Sequence, residues 1–137
     1  MNKILDLMTK TDLCVFSTAT SDGQSHSAVV GFSANEKYEI LIGTSSESRK
    51  FKAIKENPKV SLVIGWDENL TIQYEGVASQ LQGELLIERQ RLHFAKLPES
   101  EEFKDEPDEE YISVSPTWIR YSDCTVYPRI IEELKEF

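Results

Sequence analysis

Cysteine is scarce in this chain, histidine equally so, and long apolar runs are missing. The two cysteines, Cys14 and Cys124, are too few and too isolated for a metal-knuckle spacing. Each lies in an apolar run that reads as strand, so both are expected to be buried free thiols. The two histidines, His26 and His93, have no second ligand at helical spacing, which argues against a metal centre. His26 is the only histidine near the ligand cleft proposed below, with a solvated strand place after the hairpin as its expected role, and His93 reads as a helical residue beside Leu92 and Phe94. No stretch approaches the roughly 20 apolar residues that cross a bilayer. The opening segment MNKILDLMTKTD also lacks an apolar run followed by a small-residue cleavage site, so a cytoplasmic protein is expected. Basic residues are outnumbered: 15 Lys and Arg against 24 Asp and Glu give a net charge of -9. Nucleic acid and anionic membrane are therefore poor partners, because both are held by basic surface. The serines have no histidine–acid context, so covalent catalysis has no support.

A chain of 137 residues with 39% hydrophobic content is ordinary for one globular domain, here taken as residues 1–137. Ile4, Leu5, Leu7 and Met8 fall at helical spacing and predict a short opening helix. Leu13 to Thr20 reads as a strand and stops at Ser21-Asp22-Gly23-Gln24, where Asp-Gly supplies the backbone dihedrals of a tight hairpin. Ser25 to Ala34 returns as a second strand and Tyr38 to Thr44 as a third, a predicted three-stranded meander. Helical spacing resumes between Ser45 and Asn57, and Asn57-Pro58 ends it. Val60 to Trp66 and Leu70 to Gln82 are two more strands, the second long enough to bend at Gly76. Glu84 to Leu97 predicts a helix with Leu85, Leu86, Leu92 and Phe94 as its apolar residues. The acidic run Glu99 to Glu110 reads as a solvated loop, and Tyr111 to Tyr121 as a strand. The terminal Ile130-Ile131-Glu132-Glu133-Leu134-Lys135 leans toward a short helix on local propensity, with a closing strand as the alternative. Six or seven antiparallel strands with helices at the rim predict a mainly β domain, a closed or nearly closed barrel.

The segment richest in chemistry is Leu41-Ile42-Gly43-Thr44-Ser45-Ser46-Glu47-Ser48-Arg49-Lys50-Phe51. A buried strand runs into hydroxyl residues and then into two cations as a helix begins. A helix N-terminus offers unpaired N–H groups and partial positive charge, so an anion there gains from both. Thr44, Ser45 and Ser48 are candidate hydroxyl donors, Arg49 a two-pronged phosphate ligand, and Lys50 a mobile point charge. The same residues also suit a plain capped helix with an exposed first turn, and the segment alone does not choose.

The order of the whole pattern is more specific. The strand Ser25-His26-Ser27-Ala28-Val29-Val30-Gly31-Phe32-Ser33 is followed by a strand ending Gly43-Thr44, then Ser48-Arg49-Lys50, Asn57-Pro58-Lys59-Val60, and Thr71-Ile72-Gln73-Tyr74-Glu75-Gly76-Val77-Ala78. Over roughly the first eighty residues this resembles the pyridoxamine 5′-phosphate oxidase-like flavin-binding family. The resemblance implies a split β-barrel homodimer with one FMN in each of two clefts at the subunit interface. It further implies that Arg49 and Lys50 hold the FMN phosphate, with Ser48 a candidate hydroxyl donor beside them, and that Gly43 and Thr44 line the phosphate and ribityl chain. Ala28, Val29, Val30, Gly31 and Ser33 would follow the isoalloxazine ring, Thr71 would reach the flavin, and Trp118 would approach the partner's flavin. An aliphatic shelf such as Val29 and Val30 suits a flat ring. Trp66 and Trp118 also read as ordinary core or dimer packing.

The chain departs from the oxidases proper. Those carry basic residues where Ala28 and Ser33 stand, and their C-terminal arginine and histidine substrate motif is not found in Trp118-Ile119-Arg120-Tyr121-Ser122-Asp123. Vitamin B6 oxidation is therefore not expected, and the chain looks more like the family's smaller members, general stress proteins among them. The resemblance implies an FMN-dependent oxidoreductase acting on an unidentified small molecule. A non-catalytic flavin carrier or stress-response binder, and a deazaflavin- or haem-binding barrel, are the alternatives. Haem would need an axial ligand, for which His26 and His93 are poor candidates.

Overall fold

The computed structural model describes residues 2–137. The opening helix α1 (Lys3–Lys10) is capped by Asn2, whose side chain accepts from the Leu5 amide, and it buries Ile4, Leu7 and Met8. Strand β1 (Leu13–Ala19) turns through Asp22-Gly23 into β2 (Ser25–Gly31). Gly23 sits at φ 90, the left-handed conformation that glycine adopts without strain. The short β3 (Ser33–Ala34) and β4 (Ile40–Ser45) form the next hairpin, followed by helix α2 (Arg49–Glu56). Strands β5 (Lys59–Ile64) and β6 (Leu70–Gln80), helix α3 (Gly83–Lys96), a 3-10 turn (Pro98–Phe103) and strands β7 (Glu109–Asp123) and β8 (Ile130–Leu134) complete the chain.

All eight strands join one sheet in the order β2-β1-β5-β6-β7-β4-β3, with β8 also paired to β7. Every pairing is antiparallel. The two ends of that order, β2 and β3, are consecutive in the chain and separated only by Phe32, so the sheet must curl back on itself. A mainly β split barrel with helices at its rim is what the sequence predicts and what the fold shows. Its interior is filled by alternate strand residues, among them Phe16, Ile42, Leu62, Ile72, Tyr74, Ile112 and Ile119. The bend at Gly76 is real: the β6–β7 register shifts between Glu75 and Gly76. A Cβ at Gly76 would stand 2.5 Å from the Ser115 carbonyl oxygen, so only glycine fits the bulge.

Several expectations are corrected. The run Ser25 to Ala34 is two strands, and the predicted meander does not form. At Phe32 the amide turns aside to the Asp12 carbonyl (3.2 Å), and the chain crosses from one edge of the sheet to the other. The C-terminal segment is strand β8, not a helix. β4 covers β7 only up to Val114, which leaves Ile119 to Asp123 open for β8, and that pairing overrides local helix propensity. On α3 the buried residue is His93, while Leu85 and Leu92 are exposed. Cys124 is exposed, being just past the end of β7, whereas Cys14 is buried and its thiol is pushed up to about 12 by burial. The acidic run is solvated as expected, but it winds into the 3-10 turn and its end enters β7.

Candidate functional site

The hairpin register builds the floor of a small cleft. Phe16 stands opposite Ala28 and Thr18 opposite His26, all four on the inward face of the β1–β2 pair. The first turn of α2 lies over them, and Phe16, Thr18, His26, Ser27, Ala28, Arg49 and Lys50 enclose about 270 Å3. Thr18 also lines an adjoining cavity of about 570 Å3 that runs along β1, β5 and β6 past Lys59, Ser61, Glu75 and Gly76.

The start of α2 is arranged to receive an anion. Ser48 caps the helix, its Oγ accepting from the Phe51 amide at 3.2 Å, and Thr44 Oγ1 donates to the same oxygen at 3.0 Å. With both lone pairs of Ser48 engaged, its own hydroxyl proton stays available to a ligand. The first intrahelical bond runs from Lys52 N–H to the Ser48 carbonyl, which leaves the Arg49 and Lys50 amides at the open end. Ser45 is not part of this set, because its hydroxyl donates to Asp108 (2.7 Å) and fixes the preceding loop.

Among the described residues neither Arg49 nor Lys50 meets a carboxylate within 4.0 Å, although the chain carries 24 acids. Lys50 is half-buried, and burial holds it below the usual lysine range. Arg49 reaches only His26, Nη2 to Nε2 at 3.4 Å. Thr18 is 3% exposed and its hydroxyl has no hydrogen-bond partner. A buried hydroxyl without a partner costs free energy, so a ligand oxygen in the cleft would satisfy it.

The remaining residues named from the sequence are distributed over other places. Val29 and Val30 face opposite ways: Val29 is 61% exposed on the outer sheet face, and Val30 packs against the core. Thr71 and Trp118 belong to the same outer face, which is also the face of the cavity of about 570 Å3: Trp118 stands opposite Glu75 of its lining and is next to Thr117, and its indole N–H donates to Glu133 (3.2 Å). Gly31 and Gly43 line a separate cavity of about 190 Å3 with His93, Glu109 and Tyr111. There Ser33 is buried and shares a 2.8 Å hydrogen bond with His93 Nδ1. Burial, then the charges of Lys96 and Arg89, pull His93 down to about 4, while burial and the neighbouring acids Asp108, Glu106 and Glu110 push Glu109 up to about 7. Sequence reasoning missed Phe16 and Thr18, and it put His26 near the cleft but gave it a solvated role. The signal was present, since the Asp-Gly turn fixes the register and alternation then puts these three on one face with Ala28.

No helix is long and apolar enough to cross a membrane, and no group of three or more metal-ligating side chains occurs among the described residues. No curated protein matches the chain by sequence. Among solved structures, a candidate pyridoxamine 5′-phosphate oxidase of Listeria innocua superposes with TM-score 0.72 at 22% identity, over 87% of this chain and 94% of that one. General Stress Protein 26 of Bacillus anthracis gives 0.71 at 22% identity, over 98% and 100%. A haem binding protein of Mycobacterium smegmatis gives 0.79 at 14% identity, over 98% of this chain but only 58% of its own. These likenesses concern the fold. The pyridoxamine 5′-phosphate oxidase sequence profile matches residues 1–123, which hold the whole curled sheet up to β8 together with the α2 cleft, and on that match the chain belongs to the pyridoxamine 5′-phosphate oxidase family.

Proposed function

We infer that the chain binds FMN, with the phosphate seated at the N-terminus of α2, and that it works as an FMN-dependent oxidoreductase on a small molecule still to be identified. The observation that carries this reading is the pairing of two cations that lack carboxylate partners with a buried, unpartnered Thr18 hydroxyl in one cleft. Phosphate monoesters carry the charge and the acceptor oxygens that such a set satisfies. Arg49, Lys50, Ser48 and Thr18 would hold the phosphate. The adjoining cavity past Thr18 offers room for the rest of the cofactor. The flavin would supply hydride or electron transfer, while the protein positions the substrate and limits access of water.

The active form in this reading is a homodimer. Leu13, Val29, Val63 and Val77 are 49%, 61%, 36% and 43% exposed on β1, β2, β5 and β6. Val15 stands opposite both Val29 and Val63, which makes part of this face one apolar band across three strands. A second copy is the partner that would cover such a face most simply. Haem is favoured less by these residues, because His93 is buried with its Nδ1 on Ser33, and His26 shares its cleft with two cations, one of which contacts its Nε2.

Absorbance of the purified protein, before and after FMN is added and the excess removed, tests the reading. Flavin bands at about one FMN per chain are expected. A colourless protein that ignores added FMN would overturn it, and a deazaflavin would then be titrated in the same way. Sedimentation of the loaded protein at falling concentration tests the dimer, with flavin release expected on dissociation.

A further inference from the structure

We propose that His26 is a proton-linked third cation of the anion cleft, so that binding of a phosphate monoester there is coupled to uptake of a proton by this imidazole. The inference rests on the phosphate reading of the cleft and goes beyond it, because the sequence pattern put His26 near the cleft without giving it a part in binding.

His26 faces inward from β2, opposite Thr18 and beneath the first turn of α2. Arginine has only donors, so the 3.4 Å contact from Arg49 Nη2 needs the lone pair of His26 Nε2. That hydrogen bond is available only while Nε2 carries no proton. The charged groups that face it are Arg49 and Lys50 from α2; Thr18 across the ladder and Ser27 and Ala28 on its own strand are uncharged, and no carboxylate lines the cleft. A proton added to His26 in the absence of ligand would set three cations together. An anion reverses that balance: Arg49 turns its donors to the phosphate oxygens, the Nε2 position is freed, and a protonated His26 becomes a donor to the same anion. Anion binding and proton binding at His26 then favour one another, and the coupling is reciprocal.

The test measures FMN affinity by flavin fluorescence from pH 6.5 to 8.5, a range in which the phosphate is already largely dianionic, for the wild type, His26→Gln and His26→Lys. Riboflavin serves as the control without phosphate. Wild-type affinity for FMN is expected to fall at least roughly fivefold across the range. In His26→Gln it should be flat to within about twofold, and in His26→Lys flat and strong, with riboflavin flat throughout. An equal slope in wild type and His26→Gln overturns the role of His26 and leaves the flavin reading standing. If wild type binds no FMN, inorganic phosphate is titrated by thermal shift at the same pH values. A pH-linked rise in melting temperature that disappears in His26→Gln keeps the inference and removes the flavin, and no response to either probe overturns both. Retained circular dichroism in His26→Lys separates loss of binding from loss of fold.

Discussion

Two cationic places in this molecule look alike in sequence and differ in what surrounds them. At the start of α2, Arg49 and Lys50 project over a cleft with no carboxylate partner. At the end of α3, Lys96 has every donor occupied: its Nζ donates to the carbonyls of Met8 (2.9 Å), Thr11 (2.6 Å) and Phe32 (3.0 Å) and sits 3.9 Å from the centroid of the Phe32 ring. Burial pulls Lys96 down to about 8, which still leaves it an ammonium at neutral pH. One region has donors waiting for a ligand, and the other spends its donors on the backbone. The difference separates a binding site from a structural clamp without recourse to residue type.

The clamp should yield the largest effect. Lys96 ties the end of α1, the following loop and the Phe32 crossover to α3, so Lys96→Met keeps the aliphatic stem but strands three carbonyls. A loss of about 3 kcal/mol or more is expected in urea unfolding, taking hydrogen bonds to a charged group at their usual worth. FMN affinity of the folded fraction should be unchanged, and a large loss of affinity there would erase the distinction between the regions.

A pH effect of similar size belongs to the clamp side. His93 is 2% exposed and held down to about 4, against an unfolded value of about 6.5. Between those values the unfolded chain binds the extra proton. Stability therefore rises with pH through this window and is lost as pH falls through it, by about 3 kcal/mol in all. Glu109 acts with the opposite sign: raised to about 7, it favours the protonated form in the fold, so its contribution falls as pH rises toward neutrality. Unfolding of His93→Gln from pH 4 to 7 isolates the first term, since the variant should lose that part of the slope while Glu109 keeps its own.

At the cleft, Arg49→Ala is expected to weaken FMN binding by about 1.5–3 kcal/mol, the range for hydrogen bonds to a charged group, with urea unfolding unchanged. Arg49 is exposed and makes no ion pair, so the fold has little to lose. An unchanged FMN dissociation constant would remove Arg49 from the site and leave the comparison without its first member.

What could be read from the sequence was what neighbouring residues decide. Asp22-Gly23 and the stop at Asn57-Pro58 depend on contacts a few residues away and fall where the sequence put them, while the serine-rich helix start was expected without choosing among its serines, and the cap is Ser48. The bulge at Gly76 joins them because a glycine inside a long strand has few other uses. The break at Phe32, strand β8 and the burial of His93 depend on partners far along the chain: Asp12, the free half of β7, and Ser33. No local pattern encodes those. The site divides in the same way. Ser48, Arg49 and Lys50 are contiguous and were visible. Thr18, and the contact of His26 with Arg49, became visible only once the hairpin register set the two residues opposite one another under α2, while Gly43, expected beside the phosphate, and Gly31, expected along the ring, line a different cavity.

The smallest effect separates the two regions most finely. Thr18→Val is nearly isosteric and removes a hydroxyl that has no partner in the fold. If Thr18 were only a wall of the barrel, the change would relieve an unsatisfied buried group and alter nothing else. Deleting such a group is neutral or stabilising, by up to about 1 kcal/mol, when nothing is left behind in need of a partner. A hydroxyl kept for a ligand predicts two readings of opposite sign: unfolding without ligand shifts slightly toward greater stability, and FMN affinity falls by about 1 kcal/mol, the net worth of one hydrogen bond. Both are measured on one preparation, by urea unfolding and by fluorescence titration. Greater stability with unchanged affinity would return Thr18 to the core and leave the anion to α2 alone.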